Sequence, residues 1–221
     1  MYVRVMSGTV VQEAVASLRA AHDALAACDV DLLSRCELVE ALDELETLSC
    51  QLPAQWHRML ARLQAETTPK EMGAKSWKDV LRIRWRISST EAGRRLAEAA
   101  ELGPRCALTG RPLAPKLAAT AAAQAAGLIN GEHVDKIRDV MGRVPGFVDT
   151  STREQIETDL VRLAAGVGPT EVKKAADKVL FLLDQDGPIP NDAERARKRG
   201  FHVGPQRRDG TVDIKGTLTP E

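Results

Sequence analysis

The stretch Gly73–Leu102, GAKSWKDVLRIRWRISSTEAGRRLAEAAEL, decides the reading of this chain. Ser76 followed by Asp79 and Ser88 followed by Glu91 have the spacing of capping boxes, which predicts two helices joined by a short turn. Trp77, Val80, Leu81 and Trp85 fall on one face of the first, and Ala92, Leu96 and Ala99 on one face of the second. The polar faces carry Lys75, Lys78, Arg82, Arg86, Arg94 and Arg95. Two short helices, a tight turn and a basic face predict a helix-turn-helix-like unit, with these six cations as candidate contacts to DNA. The competing reading is solvated surface, because Arg94 lies four before Glu98 and Glu91 four before Arg95, the spacing of helix ion pairs. Trp77 and Trp85 are expected in the core.

Charge around this stretch is uneven. The 221 residues sum to a formal net charge of zero. Residues 1–68 hold 5 Lys/Arg against 10 Asp/Glu, residues 69–116 hold 11 against 5, and residues 117–221 hold 15 against 16. An acidic head and a basic middle point to a polyanionic partner for the middle segment. Aromatic residues make up 3% and Ala and Leu abound, the composition of a mainly helical protein. No apolar run approaches the about 20 residues of a membrane span, so no membrane partner is expected. Cys28, Cys36, Cys50 and Cys106 form no CxxC pair, and the start MYVRV is no signal peptide, so reduced thiols and a cytoplasmic setting are expected.

Upstream, Val11, Val15, Leu18 and Leu25 form a stripe that predicts a first helix over 9–27. Ser34 with Glu37 caps a second, running to about Glu66, with Leu38, Leu42, Leu45, Leu52, Trp56, Leu60 and Leu63 at helical spacing. Pro53 lies inside it and is expected to kink or divide it. This long acidic helix reads as scaffold, with self-association along 34–66 as the alternative.

Downstream, Gly103-Pro104 stops the second basic helix and 107–116 reads as irregular loop. An Ala-rich helix over 116–126, Gly127, and a helix from His133 to about Arg143 form another helix–turn–helix pattern. Its mixed charges suit a phosphate backbone less well. Ser151 with Glu154 predicts a helix to about Ala165, and Pro169 starts one to about Leu183. Residues 184–192 read as a linker and 193–199 as a short basic helix. RRDGTVDIKGTL closes a β-hairpin over 201–219, whose open edge is a second candidate for self-association. The expected fold is mainly α: a multi-helix bundle with helix-turn-helix-like pairs and a C-terminal β-hairpin. Its segments are 1–66 (acidic helices), 67–183 (helical core) and 184–221 (linker, basic helix, hairpin).

LGPRCALTGRPLAPKLAATAAAQAAGLINGEHVDKIRDV (102–140), GAKSW (73–77), the Leu52-Pro53…His57 spacing and LDQDGPIPND followed by ARKRG resemble the 13E12-repeat family of actinobacteria. That resemblance implies a helical domain of unknown function, commonly upstream of an HNH endonuclease domain. It also implies that the chain stops before that domain, as a truncated copy. An HNH site needs clustered His and Asn to hold one metal, often with Cys pairs for a structural zinc. His22, His57, His133 and His202 are scattered, so no nuclease residue carries over and no enzyme is expected. His57 reads as a structural histidine, and a Cys50–His57 metal pair across a proline is disfavoured. Asp184, Asp186 and Asp192 lack calcium-loop spacing. No phosphate-binding glycine loop or nucleophile elbow occurs, so no cofactor and no small-molecule ligand are expected.

Overall fold

The computed structural model describes residues 2–107, 109–185 and 199–218, with side chains from residue 8 to 183 and in the hairpin. The architecture is mainly helical, with a two-stranded antiparallel hairpin at its C-terminal end. The order is α1 (Tyr2–Ala26), α2 (Arg35–Glu66), α3 (Trp77–Trp85), α4 (Ser89–Leu102), β1 (Arg105–Cys106), β2 (Pro112–Leu113), α5 (Ala118–Ala125), α6 (Gly131–Arg143), α7 (Thr150–Ala164), α8 (Pro169–Gln185), β3 (Gly200–Gln206) and β4 (Val212–Thr217). No helix among the described residues is long and apolar enough to cross a membrane. The chain divides into two compact units, Met1–Gly131 and Glu132–Glu221. Of the expected linker (184–192) and basic helix (193–199), residues 186–198 lie outside the described residues, while 184 and 185 belong to α8 rather than to a linker.

In the first unit the caps act where the sequence places them. Ser34 accepts the Glu37 N–H while the Glu37 carboxylate accepts the Ser34 N–H at 2.8 Å, a reciprocal box at the start of α2. Ser76 and Ser88 accept the N–H groups of Asp79 and Glu91, each at 3.1 Å. Helix α2 packs against α4 and α5, and α3 packs against α4. Leu60, Val80, Leu81, Ala92 and Ala99 form the core, with Trp77, Trp85, Ile87 and Leu96 half-buried around it. Gly127, at φ +77°, sits where an added Cβ would stand 2.7 Å from Thr47 Cγ2, so the chain turns tightly against α2 at a position only glycine fills without strain.

Four further expectations need correction. Pro53 does not divide the second helix: α2 is continuous over Arg35–Glu66. Packing on the C-terminal side of the proline, through buried His57 and Leu60, holds the segment helical despite the missing N–H donor. The stretch read as loop holds a minute antiparallel ladder, Arg105 opposite Leu113 and Cys106 opposite Pro112, too short to show alternation. Helix α1 begins at Tyr2, ahead of the expected start at residue 9. The cap of α7 is Asp149, whose carboxylate accepts from the Thr152 N–H and the Ser151 and Thr152 hydroxyls, so Ser151 falls inside the helix. Those bonds hold the Asp149 carboxyl well below its usual range.

In the second unit α7 packs against α8. The Arg153 guanidinium donates to the carbonyls of Met141, Val144 and Pro145, closing the C-terminal end of α6. In the hairpin, Val203 faces Ile214, and Asp209-Gly210 makes the turn with Gly210 at φ +84°. Phe201, Val203, Val212 and Ile214 remain exposed.

Candidate nucleic-acid interface

Helices α3 and α4 are joined by a three-residue turn in which Arg86 adopts a left-handed conformation, φ 54° and ψ 38°. It is the one non-glycine residue with positive φ among the described residues. The turn is tight enough for the Lys78 side chain to lie over Gly93, where an added Cβ would stand 3.5 Å from Lys78 Cε. The six candidate cations separate into two groups. Lys75, Lys78, Arg82 and Arg86 are exposed on or beside α3. Of these, Arg82 donates to Asp79 at 3.0 Å, while Lys75, Lys78 and Arg86 enter no ion pair among the described residues. Arg84, which the sequence reading passed over, is exposed and equally without an ion pair among the described residues.

Arg94 and Arg95 are engaged within α4. Arg94 donates to Glu91 through Nε and Nη2, both at 2.8 Å, and to Glu98 at 2.5 Å. Arg95 Nε donates to Glu91 at 2.6 Å. Both pairs that the spacing allowed therefore form, and Glu91 is the hub. Its bonds to Arg94, then to Arg95, hold its carboxyl down at about 2, against partial burial that acts the other way.

Behind these arginines lies a cavity of about 240 Å³ inside the first unit. Trp56 of α2 and Trp85 of α3 meet edge-to-face at its wall, with centroids 5.3 Å apart, and the Arg95 guanidinium lies 5.3 Å over the Trp56 ring. His57 is buried with Nε2 3.5 Å from Glu98, so this carboxylate is shared between a histidine and Arg94. Gln124 of α5 also lines the cavity, and its Oε1 is buried without a hydrogen-bond partner among the described residues. Such an orphan costs about 1–3 kcal/mol. Sequence reading named His57 and Trp85 separately; nothing in the spacing joined them to Gln124. Among the described residues no group of three His, Cys, Asp or Glu could hold a metal ion. Cys50 is buried, and burial followed by Glu46 pushes its thiol up.

A model of the family described as Domain of unknown function (DUF222) matches residues 39–221. The chain belongs to this family. Curated relatives of this DUF222 chain include the uncharacterized proteins MT1160 and Rv1128c of Mycobacterium tuberculosis, each 40% identical over 211 residues. The alignment covers 96% of this chain and 50% and 46% of those proteins. Mb1179c of Mycobacterium bovis is 38% identical over 213 residues, covering 95% of this chain and 46% of that protein. The chain thus spans about half the length of the curated relatives it matches. No solved structure matches it. The basic helix pair and the cavity fall wholly within the DUF222 match, whereas α1 precedes it.

Proposed function

We propose that this chain is a DNA-associating helical module, in which α3 and the turn after it set cations against the phosphate backbone. The observation that carries the reading is the exposure of Lys75, Lys78, Arg84 and Arg86 without ion pairs among the described residues. A cation already paired to a carboxylate releases fewer counterions from DNA, so the primary contacts are Lys75, Lys78, Arg84 and Arg86, with Arg82 held by Asp79 and Arg94 and Arg95 bracing α4. In the 13E12-type arrangement that the sequence resembles, nuclease chemistry belongs to an HNH domain elsewhere, and this module positions it on the duplex. No nuclease step is assigned to the present residues: His57 is buried against Glu98, and His133 Nε2 lies 2.9 Å from the Val167 carbonyl. The test is fluorescence anisotropy of labelled duplex DNA against salt. Binding should weaken with a log–log slope of about −3.6, for about four neutralised phosphates. Lys75→Ala with Lys78→Ala should weaken it, and Arg162→Ala on α7 should not. Absent or salt-independent binding at low ionic strength removes the proposal.

Self-association is the second reading, and a specific observation favours it. Every described residue from 8 to 40 is exposed, including Val11, Val15, Leu18 and Leu25 on α1 and Leu38 on α2, and Leu42 and Leu45 further along α2 are exposed as well. A second copy offers an equal apolar stripe, which allows an isologous helix pairing. Sedimentation of the full chain should show a concentration-dependent dimer that Leu42→Glu with Leu18→Glu disperses; a monomer at all concentrations removes this reading.

A further inference from the structure

We propose that the cavity beside Trp56, Trp85 and Gln124 receives a single unstacked base of the DNA strand held by the basic helix pair. The inference rests on the DNA reading above and adds a second recognition element to it. A concave, mostly apolar pocket lined by two tryptophans with a few polar side chains among them has the form of a small-ligand site. Its volume of about 240 Å³ is below the range of drug-sized ligand sites, and suits one flat ring system. Tryptophan rings and guanidinium planes are the two stacking platforms that hold unpaired bases, and Arg95 over Trp56 presents both at one wall. Trp56 is 47% exposed, so the platform is open to solvent. The edge of a base carries N–H donors beside acceptors, and the Gln124 side chain is the uncharged polar amide among the residues that line the pocket. Arg94 and Arg95 line the cavity from α4, the helix that packs against α3 and its proposed phosphate contacts.

A base that is already mispaired costs least to extrude. The experiment therefore compares a matched duplex with the same duplex carrying one mismatched 2-aminopurine, followed by anisotropy and by 2-aminopurine emission. The full chain should bind the mismatched duplex at least about fivefold more tightly, with a change in emission as the base leaves the stack. Gln124→Leu keeps the side chain's size, removes the orphan and should not destabilise the fold; it should nonetheless bring the affinity ratio towards one, as should Trp56→Ala. If Trp56→Ala melts, Trp56→Leu with Gln124→Leu decides. Equal affinity for the two duplexes in the unmodified chain, or a ratio unchanged in both variants, overturns the cavity proposal while leaving the DNA reading intact. Failure to bind either duplex overturns the DNA reading, and the cavity proposal with it.

Discussion

Glu91→Gln is the perturbation that best separates a structural role for the α4 arginines from a DNA-binding one. The Glu91 carboxylate accepts three guanidinium bonds, two from Arg94 and one from Arg95, and sits in the first turn of α4, where negative charge is favoured. Arg94 is 43% exposed, so each pair is discounted for solvent screening to the few tenths to 1 kcal/mol of surface pairs. With a first-turn contribution of similar size, the loss is about 1–2 kcal/mol, or about 2–8 °C in Tm for a chain this long. The Ser88 cap is unaffected, because it bonds the Glu91 backbone N–H. DNA binding should change in the opposite direction. With Glu91 neutral, Arg95 becomes available to phosphates while Arg94 stays paired with Glu98, and the salt slope should steepen from about −3.6 to about −4.5, with tighter binding at low salt. Thermal melting followed by circular dichroism reads the first effect, and anisotropy across a salt series reads the second. A destabilised but folded variant with an unchanged slope would refute the reasoning that carboxylate pairing withholds Arg95.

The same residue fixes a pH dependence. The Glu91 carboxyl is held at about 2 in the folded chain, below its ordinary 4.5. A depressed acid stabilises the fold above the unfolded value, and that contribution is lost as pH falls from about 4.5 through about 2. Melting temperature of the unmodified chain should therefore decline over that window more steeply than that of Glu91→Gln.

Gly127→Ala should destabilise by about 2–4 kcal/mol, about 1–2 from positive φ and the rest from the contact with Thr47 Cγ2; adding Thr47→Ser should recover only the steric part in denaturant melts. Arg86→Gly should raise stability by up to about 1 kcal/mol by relieving its left-handed backbone while lowering duplex affinity, so melting and binding should move in opposite senses. Native thiol titration with an aromatic disulfide should label Cys28, Cys36 and Cys106 promptly and Cys50 only on unfolding. Amides of β3 and β4 should exchange with solvent faster than those of α6, because the hairpin side chains are exposed whereas Val134, Ile137 and Val140 are buried; equal protection would contradict this.

What the sequence made legible is what short-range geometry controls. The starts of α2, α3 and α4 follow from Ser34, Ser76 and Ser88, each three residues before the group it caps. The Glu91–Arg95 and Arg94–Glu98 pairs follow from the four-residue repeat of a helix face. Where local signals compete, the nearest alternative wins: Asp149 outbids Ser151 because a carboxylate accepts several donors at once. Pro53 shows the limit of a local rule, since one lost hydrogen bond is outweighed by helix packing on its far side.

The cavity is the contrary case, and the reason is separation along the chain. Trp56 and Trp85 are 29 residues apart, His57 and Glu98 41, and Trp56 and Gln124 68. Helical periodicity fixes which face each residue occupies on its own helix, but not which helix lies opposite. Three signals do survive in the sequence: a tryptophan beside a histidine on α2, a Glu four after an Arg on α4, and a glutamine in an otherwise Ala-rich helix. Each has an ordinary explanation alone, as a core ring, a surface pair and a polar side chain. Only the packing of α2 against both α4 and α5 brings them to one void and leaves the Gln124 oxygen with no donor. A polar residue buried in an apolar helix of a packed bundle is therefore the feature to follow from sequence to site, because its missing partner is supplied either by another helix or by a ligand.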